Sequence, residues 1–204
     1  MAWKDLTPKT FASIRELNGI SARTQEEHYE LYKGYVGKVN EIQKKLDAVD
    51  RTTANQIFSD LRSLRIDYSF AIGGVKNHEI FFGHLGGKGG APSGKLKEQI
   101  ARDFPSYDAW LADFKASGLA ARGWVWLAYD HDLSMLTTVV GDAQNSFPLW
   151  NATPILALDV YEHAYWLDYG RARAKYIDAF FNNLDWGVVA ANLDRALSMQ
   201  PAAK

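Results

Sequence analysis

The chain has five histidines, at 28, 78, 84, 131 and 163, and no cysteine. Chemistry that needs a thiolate, whether a disulfide, a cysteine nucleophile or a cysteine-held zinc, is excluded. His28 opens an apolar helical stripe on which Tyr32, Tyr35, Val39 and Ile42 follow at intervals of three and four. His78 lies on a second stripe, with Ala71, Gly74, Val75 and Phe82. One inward imidazole by itself is more often a packed core histidine than a ligand. Two of them on neighbouring antiparallel helices strengthen the case for a shared ion, because imidazole is the commonest side-chain metal ligand. Asp159 comes at the end of the apolar run ILALD, where a carboxylate is costly to bury unless it is paired or bound to a cation. His163 follows four residues later, and by themselves the two read equally as a plain hydrogen-bonded pair. Three imidazoles and one carboxylate together suit iron, manganese or zinc. His84, beside a glycine-rich stretch, and His131, in a turn, are expected to be exposed. Lys88, Lys95 and Lys97 are expected to be solvated surface.

These side chains need elements to carry them. Thr24 and Glu27 have capping-box spacing, which predicts a helix beginning at Thr24, with Glu26, Glu30, Lys33 and Lys44 on its wet face. A second helix is predicted from about Thr53 to Gly83. Gly73 and Gly74 inside it each cost about 1 kcal/mol relative to alanine, so something should approach the backbone closely there. The run GHLGGKGGAPSG at 83–94 reads as a linker. Helices are predicted at about 94–104 and 106–118, then strands at 124–130 and 135–141 around a hairpin turn, and a third strand at 155–161. Helices return near 171–182 and 186–198. The fold class is α+β: an N-terminal antiparallel helical hairpin, then a three-stranded antiparallel sheet flanked by helices. The expected domains are 1–87, the helical hairpin, and 88–204, the α/β part.

Composition sets outer bounds. With 204 residues, 47% hydrophobic and 23% charged, the chain can build a substantial core without a disulfide or structural metal. A formal net charge of −1 gives no reason to expect nucleic acid or an anionic membrane as partner, although a small anion can still be steered by local charge. No apolar run is long enough to span a bilayer, and the first residues lack the pattern of a leader, so a cytoplasmic location is expected. Seven Trp, ten Tyr and ten Phe could wall off a dry reactive centre.

Over nearly the whole chain, from about Leu17 to Leu193, the sequence resembles the iron/manganese superoxide dismutase family. The resemblance rests on Thr24 with His28-Tyr29, on Asn77-His78 with Phe81-Phe82, and on Gly123-Trp124-Val125-Trp126-Leu127. Its most specific part is Asp159-Val160-Tyr161-Glu162-His163-Ala164-Tyr165, close to the family signature DVWEHAYY. Asp168-Tyr169, Arg173, Tyr176 and Asp185-Trp186 continue the pattern. The resemblance implies that His28, His78, Asp159 and His163 hold one manganese or iron ion per subunit, with solvent as a fifth ligand. It implies a Mn(III)/Mn(II) or Fe(III)/Fe(II) cycle that converts superoxide to dioxygen and hydrogen peroxide. It makes Tyr35 the gateway tyrosine and Gln144 the amide that tunes the metal, with Gly74 leaving room for that amide, a combination that leans toward manganese. Glu162 matches a residue that bridges to the other subunit, which implies a homodimer.

The chain departs from the family at four places. Tyr35 follows His28 by seven residues instead of eight, so the family's π-bulge in that helix should be missing. Tyr32 and Trp166 replace a histidine and a tyrosine of an interfacial hydrogen-bonded relay, and Tyr161 replaces the signature tryptophan. These departures motivate an alternative, a family-fold metal-binding or structural protein with weak or no turnover. A non-haem iron oxygenase could use a subset of the same ligands, but the sequence shows no sign of an organic-substrate pocket.

Overall fold

The computed structural model describes residues 3–147 and 149–199. Two long helices come first, α1 (Ala22–Ala48) and α2 (Asp60–Gly83). They are followed by α3 (Gly94–Asp103) and α4 (Tyr107–Ala120), strands β1 (Trp124–Asp130), β2 (Met135–Gly141) and β3 (Ala152–Asp159), and helices α5 (Trp166–Tyr169), α6 (Arg173–Asn182) and α7 (Trp186–Ser198). The sheet is antiparallel in the order β2-β1-β3. The fold is α+β, as its patterning predicts. Among the described residues, no helix is long and apolar enough to cross a membrane.

The capping residue of α1 is Ser21, not Thr24. Ser21 has extended backbone, and its Oγ accepts the Thr24 amide at 3.2 Å. Thr24 is already inside the first turn, so its amide is one of the donors that need a cap. His28, Tyr32, Val36, Val39, Ile42 and Leu46 form the buried face, and Tyr35 sits half-buried on its flank. The helix runs without a π-bulge through residue 35.

The second helix starts seven residues later than its sequence suggests. Asn55 Oδ1 accepts the Ile57 amide at 2.8 Å, closing a turn, and Ser59 Oγ caps the new helix through the Arg62 amide. Local side-chain acceptors here outcompete helical bonding. Ala71, Gly74, Val75, His78 and Phe82 are buried against α1, as their spacing predicts. The start of α1 lies beside the end of α2, with the His28 and His78 rings 4.9 Å apart, so the pair is antiparallel.

Strands β1 and β2 occupy their predicted spans. Every residue of β1 is buried, which explains its near-continuous apolar run. The third strand begins at Ala152 instead of 155 and ends at Asp159, paired in register with Trp124. A 3-10 turn, Glu162–Ala164, and the short α5 follow. Neither was foreseen, because neither is long enough to show a period.

His84 corrects the sequence reading most clearly: it is fully buried. Its Nε2 accepts the Ala157 amide at 3.1 Å on the side of β3 that faces away from β1. Its ring packs edge-on to Phe180 and Phe81. The neighbouring glycines suggest surface, but tertiary packing decides. His131 is also not exposed; it is half-buried, with Nε2 2.8 Å from the Thr153 hydroxyl.

Candidate metal centre

Four elements converge on one point. His28 comes from α1, His78 from α2, Asp159 from the last position of β3 and His163 from the 3-10 turn after it. Their ligand atoms all lie within 4.8 Å of one another. Asp159 Oδ2 is 3.2 Å from His28 Nε2, 3.5 Å from His78 Nε2 and 3.1 Å from His163 Nε2. His28, His78 and Asp159 are buried, and His163 is half-buried.

Neighbouring groups fix the orientation of each ligand. Gly74 O lies 2.6 Å from His78 Nδ1 and accepts its hydrogen, which leaves Nε2 as a lone-pair donor toward the cluster. That Nε2 is buried and has no hydrogen-bond partner. The Tyr161 amide donates to Asp159 Oδ1 at 2.9 Å, freeing Oδ2 for the three imidazoles. The Tyr176 hydroxyl holds the Asp159 main-chain carbonyl at 2.8 Å. Phe81 and Phe82 flank His28 at 5.0 and 4.9 Å, Trp124 stands edge-on to His78 at 5.2 Å, and Tyr161 stacks on His163 at 5.3 Å. Such a wall strips water from the site and raises the cost of uncompensated charge.

The electrostatics agree with this geometry. Burial lowers the His28 and His78 imidazoles, His78 to about 3, so both stay neutral. Burial also opposes charge on His163, but the Asp159 carboxylate outweighs it and raises that imidazole. For Asp159, burial pushes up, while the charge and hydrogen bond of His163 and the bond from His28 pull harder. The carboxyl is held well below its usual range. Three imidazole nitrogens converging on a carboxylate oxygen, one of them orphaned, make a donor set for a divalent or trivalent cation, and its chemistry fits manganese or iron.

A hydrogen-bonded shell surrounds the cluster. Gln144, in the loop after β2, is buried. Its Oε1 accepts Trp124 Nε1 at 3.0 Å and lies 3.5 Å from Asn77 Nδ2, and its Nε2 donates to the Tyr35 hydroxyl at 3.3 Å. Asn77 also donates to the Gln144 main-chain carbonyl at 3.0 Å. The Tyr35 ring packs 5.5 Å from His78. Both predicted shell residues therefore lie beside the cluster. The two mid-helix glycines divide the work differently from expectation. A Cβ on Gly74 would meet the Tyr35 ring at 2.8 Å, whereas a Cβ on Gly73 would lie 2.2 Å from the Gln144 carbonyl oxygen. Gly73 makes room for the loop carrying the amide, and Gly74 for the tyrosine. The role of Asn77 was missed, although an amide on the buried side of the helix beside His78 was a signal.

Tyr32 and Trp166 go separate ways. The Tyr32 hydroxyl donates to Glu79 Oε1 at 3.1 Å and accepts the Lys9 amide at 3.0 Å, turning away from the cluster to tie down the N-terminal segment. Trp166 is exposed, as is Glu162.

Comparison with known proteins decides the ancestry. The family model for iron/manganese superoxide dismutases, C-terminal domain, matches residues 92–192. The iron superoxide dismutase of Aquifex pyrophilus is 42% identical over 205 residues, covering 98% of this chain and 96% of the relative. The chain belongs to the iron/manganese superoxide dismutase family. A second iron superoxide dismutase, from Aquifex aeolicus, is equally similar. The manganese superoxide dismutase 2 of Haloferax volcanii is 37% identical over 182 residues, covering 88% of this chain and 90% of the relative. Both metal types of the family are thus represented among these relatives.

Proposed function

We propose that this protein is a superoxide dismutase, converting two superoxide anions and two protons to dioxygen and hydrogen peroxide, with its metal held by His28, His78, Asp159 and His163. The observation that carries the reading is the convergence of three Nε2 atoms on one carboxylate oxygen, inside an aromatic wall, in a chain of this family. Manganese or iron bound there supplies the one-electron couple. The protein's own groups do the rest. Asp159 contributes negative charge that favours the higher oxidation state. Phe81, Phe82, Trp124 and Tyr161 exclude bulk water.

Peroxide formation needs protons in a dry place, and Tyr35 is positioned to supply one. Its pKa is raised above the usual value, first by burial and then by the Asp159 charge, against the lowering effect of the Gln144 bond. It therefore keeps its proton at neutral pH. Because Gln144 Nε2 donates into the phenol oxygen, the Tyr35 O–H is left to act as donor. The Gln144 amide is oriented by Trp124 and Asn77, which supports reading it as the group that tunes the metal's potential. Its arrival from the C-terminal half, across from glycines on α2, favours manganese, while the relatives at 42% identity are iron enzymes. The protein is further read as a cytoplasmic homodimer with Glu162 at the interface. A single-chain mass in sedimentation would remove the dimer. The chain divides near residue 87 into a helical hairpin and an α/β part.

The test is elemental analysis after growth with each metal, beside superoxide-decay kinetics. We expect about one ion per chain and accelerated decay in at least one preparation. Bound metal without acceleration would instead support the non-catalytic family member. His78→Ala should lose the metal; full stoichiometry in that variant would reject the ligand set. Gln144→Ala should keep the metal and change its reduction potential, and an unchanged potential would take Gln144 out of the tuning role.

A further inference from the structure

The loop that carries Gln144 has no regular structure, and its placement decides where the amide points. On one side α2 holds it: Asn77 bonds the Gln144 carbonyl, Ser69 Oγ accepts Asn145 Nδ2 at 2.8 Å, and Gly73 allows the close approach. On the other side stands Tyr161. Its hydroxyl donates to the Asp142 main-chain carbonyl at 3.3 Å. The same residue holds Asp159 Oδ1 with its amide and stacks its ring on His163. Gly123 lies where these parts cross; a Cβ there would be 3.0 Å from the Asp142 carbonyl carbon and 3.1 Å from Tyr161 Cε2. One residue thus reaches Asp159 through its amide, His163 through its ring and the base of the amide loop through its hydroxyl.

We propose that Tyr161 is a positioning residue whose hydroxyl ties the Gln144 loop to the Asp159–His163 segment, so that the tuning amide and the ligands keep one fixed relation. The proposal rests on the function proposed above and concerns the hydroxyl alone. The ring and the amide contact remain in Tyr161→Phe, so that variant isolates it. The loop amides of Ala143 and Ser146, which bond within the loop, report its stability. In metal-free protein, Tyr161→Phe should exchange these two amides roughly fivefold faster, the loss of one ordinary hydrogen bond, while amides of β1 are unchanged. In metal-loaded protein the variant should retain the ion and change its reduction potential, and that change should vanish when Gln144→Ala is already present. Unaltered exchange at Ala143 and Ser146, or an equal potential change with and without Gln144, overturns the proposal. If wild-type protein binds no manganese or iron, the functional reading fails instead, and the exchange experiment still judges the tie by itself.

Discussion

At the scale of single residues, chemistry-bearing side chains were legible where burial carries a high cost, and obscure where packing alone decides. Asp159 and the three histidines clustered around it stood out because charged or polar groups within apolar runs need a reason to be there. His84 stood among glycines, and nothing local announced that Phe81 and Phe180 would enclose it. Its burial has a measurable consequence. The imidazole is pushed down to about 3 in the fold, against about 6.5 when unfolded. The unfolded chain therefore takes up a proton first as pH falls. The stability due to neutral His84 is complete above about 6.5 and is lost progressively toward 3. His84→Gln can keep an acceptor for the Ala157 amide but has no proton to gain. Denaturant titration of metal-free protein should show the wild type losing up to about 1.4 kcal/mol more per pH unit than the variant within that window. Parallel slopes would mean that His84 is protonated within the fold.

At the scale of elements, periodicity located the buried faces of α1 and α2, and β-branched and aromatic runs located β1 and β2. Boundaries set by side-chain hydrogen bonds were harder to place. Thr24 has capping-box spacing, yet the extended backbone at Ser21 makes that residue the cap. The Asn55 turn and the Ser59 cap delayed α2 for the same reason. The glycine pair in α2 showed that something had to come close, but not which partner each residue admits. Gly73→Ala should gain about 1 kcal/mol of helix propensity and lose more, about 1–3 kcal/mol, by driving a methyl group into the Gln144 carbonyl. We expect a lower denaturation midpoint, with metal retained and its potential altered as in Gln144→Ala. Spectroelectrochemistry matching wild type would show that the loop yields without moving its amide.

At the scale of the whole molecule, the cluster joins the helical hairpin to the sheet. His28 and His78 lie in the first half of the chain, Asp159 and His163 in the second, so a bound ion cross-links segments more than 80 residues apart in sequence. An ion that binds only the folded form stabilises it by mass action, about 2.7 kcal/mol at a hundredfold excess over the dissociation constant. Chelation should therefore lower the melting temperature of the whole chain in one cooperative transition, and readdition of metal should restore it. Calorimetry showing the same midpoint with and without metal would contradict a site shared between the halves.

The central strand has one more implication, for lineage. From Trp124 to Tyr129 every residue is buried, on both faces of the sheet. A polar replacement there has nowhere to turn, and a larger or smaller one disturbs two packed layers together. Neutral drift among descendants of a common ancestor should consequently collect in β2, whose middle positions are partly wet, and leave these six positions nearly frozen.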